Sequence, residues 1–156
     1  DGAEAPLSVA KLHQLETNVD VSYRQCTAET LAAEGEKTFE VVTCLEMLEH
    51  VPDPAAIVNA CASLCKPGGH LYFATINRNP KSYLFAILGA EHILRLLPKG
   101  THDYEKLIKP SELLTFIDKG GLDFLEIKGM TYIPFFDIVK LSNDPSVNYI
   151  IHARKK

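Results

Sequence analysis

An α/β fold, with a parallel sheet and an antiparallel edge, is predicted by three features of this 156-residue sequence. Compact β-branched or alternating runs ("TFEVVTCL", "HLYFATI", "LDFLEIKGMTYI", "VNYIIHAR") recur between stretches of helical periodicity. The connections between them are short, as in β-α-β units. The last two runs have only a loop between them and no crossover helix, which predicts antiparallel pairing at the edge.

Taken in order, "PLSVAKLHQL" (Pro6 to Leu15) reads as a helix, with Leu7, Ala10, Lys11 and Gln14 roughly in line and Leu12 and Leu15 alongside. "VSYRQC" alternates enough for a short strand, and "AETLAAEGE" is a short helical or looped crossover ending near Gly35. "TFEVVTCL" suits a buried parallel strand, which is apolar on both faces. Asp53-Pro54 starts the next helix, because Asp53 can cap it and Pro54 fits its first turn. That helix runs through "AAIVNACASLCK" to Pro67-Gly68-Gly69, followed by the strand "HLYFATI". "PSELLTFIDKGG" repeats the logic, with Ser111 as cap, Leu113, Leu114, Phe116 and Ile117 as core face, and Gly120-Gly121 as stop. Both glycine pairs read as helix caps.

Composition sets bounds. A hydrophobic content of 46% and a charged content of 23% are ordinary for a globular protein. The net charge of -4 argues against a general nucleic-acid binder, which needs a basic surface. Cys26, Cys44, Cys61 and Cys65 form no Cys-x-x-Cys pair and are expected as reduced thiols in an interior. The opening "DGAEAPL" lacks the charged region and apolar run of a secretory leader, so the expected compartment is the cytoplasm. With no repeat, linker or low-complexity tract, one domain is expected.

The chemistry concentrates in "CLEMLEHVPDP", Cys44 to Pro54. Glu46, Glu49 and His50 follow directly on a predicted strand, and open α/β sheets bind ligands beyond the carboxyl ends of their strands. If the segment is helical, spacings of three and four bring these side chains onto one face. Two carboxylates and an imidazole then make a set for a divalent cation, with positions left for water or substrate oxygens. A solvated acidic helix start with a capping histidine is the alternative. The zinc patterns His-Glu-x-x-His and His-x-x-Glu-His do not occur, which weakens a metal-dependent hydrolase. Asp1 could accept hydrogen bonds from ribose hydroxyls, as an acidic residue after the second strand does in dinucleotide and adenosyl sites. No Gly-rich phosphate loop occurs.

The run "NRNPKSYLFAILGAEHILRLLPKGTHD" interrupts the α/β rhythm at about residues 79–100. Its apolar stretch, Tyr83 to Leu97, is flanked by Arg78, Lys81, Arg95 and Lys99, so it can lie in a membrane interface, cover a hydrophobic substrate, or pack in the core. At no more than eight uninterrupted apolar residues (Tyr83 to Ala90) it is too short to span a bilayer, which takes about 20. His102 and Asp103 follow and can reach the same cleft or form a surface turn.

Three stretches together carry a resemblance: "FEVVTCLEMLEHVPDP", the long run "LCKPGGHLYFATINRNPKSYLFAILGAEHILRLLPKGTHDYEKLIKPSELL", and "SVNYIIHARKK". Over essentially its whole length the chain resembles the S-adenosylmethionine-dependent O-methyltransferases of ubiquinone biosynthesis, which methylate catechol-type polyprenyl intermediates. The resemblance implies a Rossmann-like class I methyltransferase sheet and methyl transfer to a phenolic oxygen. It implies that Asp1 binds the cofactor ribose and that Leu45, where the family usually has Met, touches the cofactor just after its strand. Glu46, Glu49 and His50 match the family's magnesium-binding set, and Tyr83–Leu97 matches a segment associated with lipid contact. His50 or His102 is the candidate base for the phenolic proton.

The family's first strand and Gly-rich cofactor loop precede the position of Asp1. Residues 1–156 are therefore expected to be the C-terminal portion of one methyltransferase domain, its sheet left as two halves with unpaired edges. The implied partners are a polyprenyl phenol, a membrane surface and other quinone-biosynthesis proteins. The implied location is cytoplasmic and peripheral to the inner membrane in a bacterium, or the matrix side in a mitochondrion. The alternative from another class is a non-catalytic remnant acting as a membrane or complex-assembly module.

Overall fold

The computed structural model of the protein describes residues 2–17, 19–35, 38–84, 103–133 and 138–156, the side chains of 131–133 and 138 excepted. Asp1, His102 and most of the Tyr83–Leu97 stretch lie outside the described residues. Helices α1 (Glu4–Thr17) and α2 (Ala28–Glu34) come first, then strand β1 (Phe39–Leu45), a tight turn Leu48–His50, α3 (Pro54–Leu64) and β2 (Cys65–Ile76). A single helical turn α4 (Pro80–Ser82), a second tight turn Tyr104–Lys106, α5 (Pro110–Lys119), β3 (Leu122–Ile133), β4 (Ile138–Ser142) and β5 (Asn148–Lys155) complete it.

Five strands form one sheet in the order β1-β2-β5-β3-β4. β1 runs parallel to β2, with Leu45 opposite Ala74. β5 is antiparallel to both of its neighbours, β2 and β3, and Thr75 lies opposite Tyr149. β3 and β4 form a hairpin at the far edge. The helices α3 and α5 cover one face, where Ile57, Val58, Cys61, Leu113 and Ile117 pack on Leu71, Phe73, Tyr149 and Ile151. This α/β architecture, with a mixed sheet whose parallel pair leads into an antiparallel edge, agrees with the predicted fold class.

Local signals account for most elements. Asp53 Oδ1 accepts from the Ala56 amide at 3.0 Å and Pro54 occupies the first turn of α3, as expected. Thr27 caps α2, and Gly35 ends it in the left-handed region at φ 66°, where a Cβ is disfavoured. Cys44, Cys61 and Cys65 are buried and all four cysteines are free thiols.

Other expectations are corrected. "VSYRQC" forms no strand among the described residues. With no neighbouring strand to accept its backbone, it is tied instead by side chains: Gln14 Nε2 donates to the Val19 and Val21 carbonyls, and Arg24 pairs with Glu34. The described strands thus form one continuous sheet rather than two halves. β1 is an edge strand, and its apolar Val41 and Leu45 are more than half exposed, so it is not buried on both faces. On α1 only Leu7 is buried, leaving Val9, Leu12 and Leu15 in solvent.

Helix α5 starts two residues earlier than Ser111 as a cap implied. Lys109 is its cap position, Pro110 its first residue, and Glu112 accepts from the Lys109 amide at 2.9 Å. α3 ends at Leu64, before Pro67, so Gly68-Gly69 does not cap it. Gly69 is needed for close approach: a Cβ there would lie 2.8 Å from the Glu40 carbonyl oxygen of the neighbouring strand. Finally, β5 lies inside the sheet and not at its edge, because β3 turns back through the additional strand β4.

Candidate functional site

The parallel strands β1 and β2 end side by side, and the chain leaving β1 carries the acidic residues. Leu45 closes β1 with its side chain about half exposed. Glu46 then takes a left-handed backbone at φ 49°, alone among the described non-glycine residues. Its amide donates to the Ala74 carbonyl at 2.9 Å, so the kinked residue remains tied to β2. The tight turn Leu48–His50 follows, anchored by the fully buried Leu48.

That turn sends Glu49 inward to 3% exposure. Its Oε2 accepts from the Thr75 hydroxyl at 2.9 Å, from a residue of β2 that is itself wholly buried. Its other oxygen, Oε1, is buried with no hydrogen-bond donor. A buried carboxylate oxygen without a partner is costly, so Oε1 is a place for a cation or another donor.

The neighbouring acid is Glu46. Glu46 is an exposed residue whose carboxyl is nonetheless partly desolvated. Desolvation, then the Glu49 charge, then the hydrogen bond that a protonated Glu46 shares with Glu49 push it up to about 7. The two side chains thus form an acidic pair.

His50 stands at the end of the turn, exposed, its amide donating to the Met47 carbonyl at 3.0 Å. No three His, Cys, Asp or Glu side chains gather as a metal-ligand group among the described residues, so the trio Glu46, Glu49 and His50 is not assembled. The expected grouping assumed one continuous helix. The left-handed Glu46 and the short turn that begins only at Leu48 break that spacing. What remains is a pair of carboxyls with an orphaned oxygen, and this fits magnesium, which is held through one or two carboxylates while keeping waters and substrate oxygens.

Around this pair the strand ends are braced. Tyr149, opposite Thr75 and wholly buried, donates its hydroxyl to the Ile108 carbonyl at 2.9 Å, and burial raises its phenol well above the usual range, with help from Glu112, Glu49 and Glu46. Ile108 in turn donates its amide to the Ile76 carbonyl at 3.2 Å. Arg78, just past β2, donates to the Glu105 carbonyl at 3.0 Å and pairs with Glu112. Arg78, Glu105, Ile108 and Glu112 line a cleft of about 310 Å³, walled also by Val51, Pro52, Pro54, Leu107 and Phe116. Asp103 caps the Tyr104–Lys106 turn through a 3.2 Å bond from the Glu105 amide, which is the surface-turn reading of that residue.

Thr75, Tyr149 and the Arg78–Glu112 pair escaped the sequence reading. Thr75 had one available signal: a polar residue near the C-terminal end of the apolar strand "HLYFATI". Nothing local marks Arg78 and Glu112 as partners.

This arrangement, acidic residues beyond the ends of parallel strands in a mixed sheet, is that of an α/β domain that binds its ligand at the strand ends. The model of the methyltransferase domain family matches residues 5–125, and the chain belongs to that family. Among solved structures it is similar to an S-adenosylmethionine-dependent methyltransferase from Thermotoga maritima, with a TM-score of 0.66, 18% identity and coverage of 100% of this chain and 72% of that one. It is also similar to one from Methanosarcina mazei, with a TM-score of 0.61, 16% identity and coverage of 99% and 79%. More particularly, it belongs with the ubiquinone biosynthesis O-methyltransferases: it is 58% identical to that of Pseudomonas entomophila over 100% of this chain and 67% of the relative. It is likewise 59% identical to that of Marinobacter nauticus over 99% and 66%. The chain spans about two thirds of the length of these relatives.

Proposed function

We propose that the protein carrying this chain transfers a methyl group from S-adenosylmethionine to a phenolic oxygen of a polyprenyl catechol in ubiquinone biosynthesis. The observation that carries this reading is the Glu46–Glu49 pair, with its orphaned Oε1, at the end of β1 in a chain 58% identical to a ubiquinone biosynthesis O-methyltransferase.

A catechol hydroxyl is a weak nucleophile near neutral pH. A magnesium ion held by Glu46 and Glu49 would lower the acceptor's pKa and fix its orientation. His50, exposed at the end of the turn, is assigned to accept the phenolic proton. Leu45, exposed at the end of β1, offers an apolar contact to the cofactor, and Asp1 is assigned its ribose hydroxyls. The cleft beside Val51 and Ile108 offers apolar walls to an aromatic ring. The sulfonium methyl is already activated, so alignment of oxygen, methyl and sulfur supplies much of the remaining acceleration.

The basic-edged stretch Tyr83–Leu97 is assigned to a lipid surface, in keeping with a substrate that has a long apolar tail. Among the described residues no helix is long and apolar enough to cross a membrane. Peripheral attachment to the inner membrane, and contact with other quinone-biosynthesis proteins, belong to the same proposal. Replacing Tyr83–Leu97 by a Gly/Ser linker should lower co-sedimentation with anionic liposomes; unaltered co-sedimentation would return the stretch to a core or cover role.

The test of the function uses this chain joined to the part of the Pseudomonas entomophila relative that it does not match. With S-adenosylmethionine, magnesium and a short-tailed prenyl catechol, one methyl per acceptor should appear on oxygen. Absence of any methylated product from a folded, cofactor-binding protein would refute the proposal.

A further inference from the structure

We propose that Thr75 is a positioning residue: its hydroxyl fixes the Glu49 carboxylate so that Oε1 is presented, unpartnered, toward Glu46 and the cation site. The cation part of this inference rests on the magnesium reading given above; the orientation of Glu49 does not.

The geometry is restrictive. Glu49 is 3% exposed, so water does not set the direction of its carboxylate. The Thr75 hydroxyl donates to Oε2 at 2.9 Å, whereas Glu46 can donate to this carboxylate only while it carries a proton. Thr75 is wholly buried on β2, and β-branching limits its χ1, so the donor points one way. Tyr149, directly opposite on β5, does not compete, because its hydroxyl is committed to the Ile108 carbonyl. A hydroxyl has a single proton to give, so it satisfies one carboxylate oxygen and leaves the other. The orphaned Oε1 is therefore the consequence of where Thr75 stands. Residues that orient a metal-binding carboxylate from behind commonly tune metal affinity about 10–100-fold.

The probe is magnesium chloride titrated calorimetrically into this chain, with Thr75→Ser, Thr75→Cys and Thr75→Val compared with the parent. Ser keeps the donor, Cys offers a weak one, and Val removes it at similar volume. The expected order of affinity is parent, then Ser within about threefold, then Cys, then Val, weaker by about 10–100-fold. Equal affinity in Ser, Cys and Val would overturn the proposal, and so would a loss in Ser as large as that in Val. Should Val fail to fold, the Ser–Cys difference carries the same test.

A second readout needs no metal: the three-bond couplings of the Glu49 side chain. A single rotamer in the parent and Ser forms, averaging in Cys or Val, supports positioning even if the parent binds no magnesium; that combination removes the magnesium reading alone. Identical couplings in all four proteins would overturn the positioning role whatever the metal result.

Discussion

The Glu46 amide is held 2.9 Å from the Ala74 carbonyl while Glu46 itself sits at φ 49°. β1 therefore ends in a bond to its parallel neighbour made by a residue whose Cβ disfavours that backbone. Strain of this kind persists where the surroundings over-determine it, and here it turns the Glu46 side chain away from the line of β1 toward Glu49. Glu46→Gly should be more stable than Glu46→Ala by about 1 kcal/mol, because only Gly adopts the left-handed region without a Cβ clash. Urea denaturation in EDTA measures this, and both variants should lose the site's magnesium affinity. Ala equal to or above Gly would show that Glu46 is not held in that conformation.

The acid pair gives stability a pH dependence of defined sign. Glu46 keeps its proton in the folded chain up to about 7, while the unfolded chain releases it near its ordinary value of 4.5. The folded state thus binds more protons across that interval, and its contribution is full below 4.5 and lost as pH rises through about 7. The urea midpoint should fall between pH 5 and pH 8 in the parent, and fall less in Glu46→Gln. Magnesium should recover part of the loss at pH 8, where the cation replaces the proton. A midpoint that changes equally in parent and variant would remove Glu46 as the source.

Arg78 and Glu112 tie the loop after β2 to the start of α5, and Glu112 also serves the Lys109 amide at 2.9 Å. Both side chains are partly exposed, which screens the charge pair, so the cap supplies a large share. Glu112→Ala should cost about 1–2 kcal/mol in chemical denaturation. Glu112→Gln, which can still accept from the Lys109 amide, should cost less than half as much. Equal losses would assign the effect to charge rather than to capping.

Much of the fold was legible wherever short-range chemistry decides it. Asp53-Pro54 cap and begin α3 through atoms within four residues of each other, and Gly35 and Gly121 take positive φ at the ends of helical segments. The sheet order was less legible, because pairing joins distant segments. "VNYIIHAR" carries no mark that places it between β2 and β3, and "VSYRQC" looks like a strand but pairs with none among the described residues.

The same division runs through the site. Glu46 and Glu49 stood out because strand ends are where α/β sheets bind ligands. Their union into a pair, with no group of three metal ligands among the described residues, depends on a left-handed backbone that a non-glycine residue does not announce. Thr75 meets Glu49 across 26 residues of sequence, a contact that only the parallel register of β1 and β2 creates.

The central claim is that the post-β1 carboxylates run methyl transfer, and it is tested most directly by the rate in the joined protein described above, parent against Glu49→Gln, across a magnesium titration. Glu49→Gln preserves shape and the bond from Thr75 while removing the charge. The account predicts a loss of at least about 100-fold at saturating S-adenosylmethionine, about 3 kcal/mol in the barrier, with little change in cofactor affinity. An unchanged rate and magnesium dependence in Glu49→Gln would contradict it.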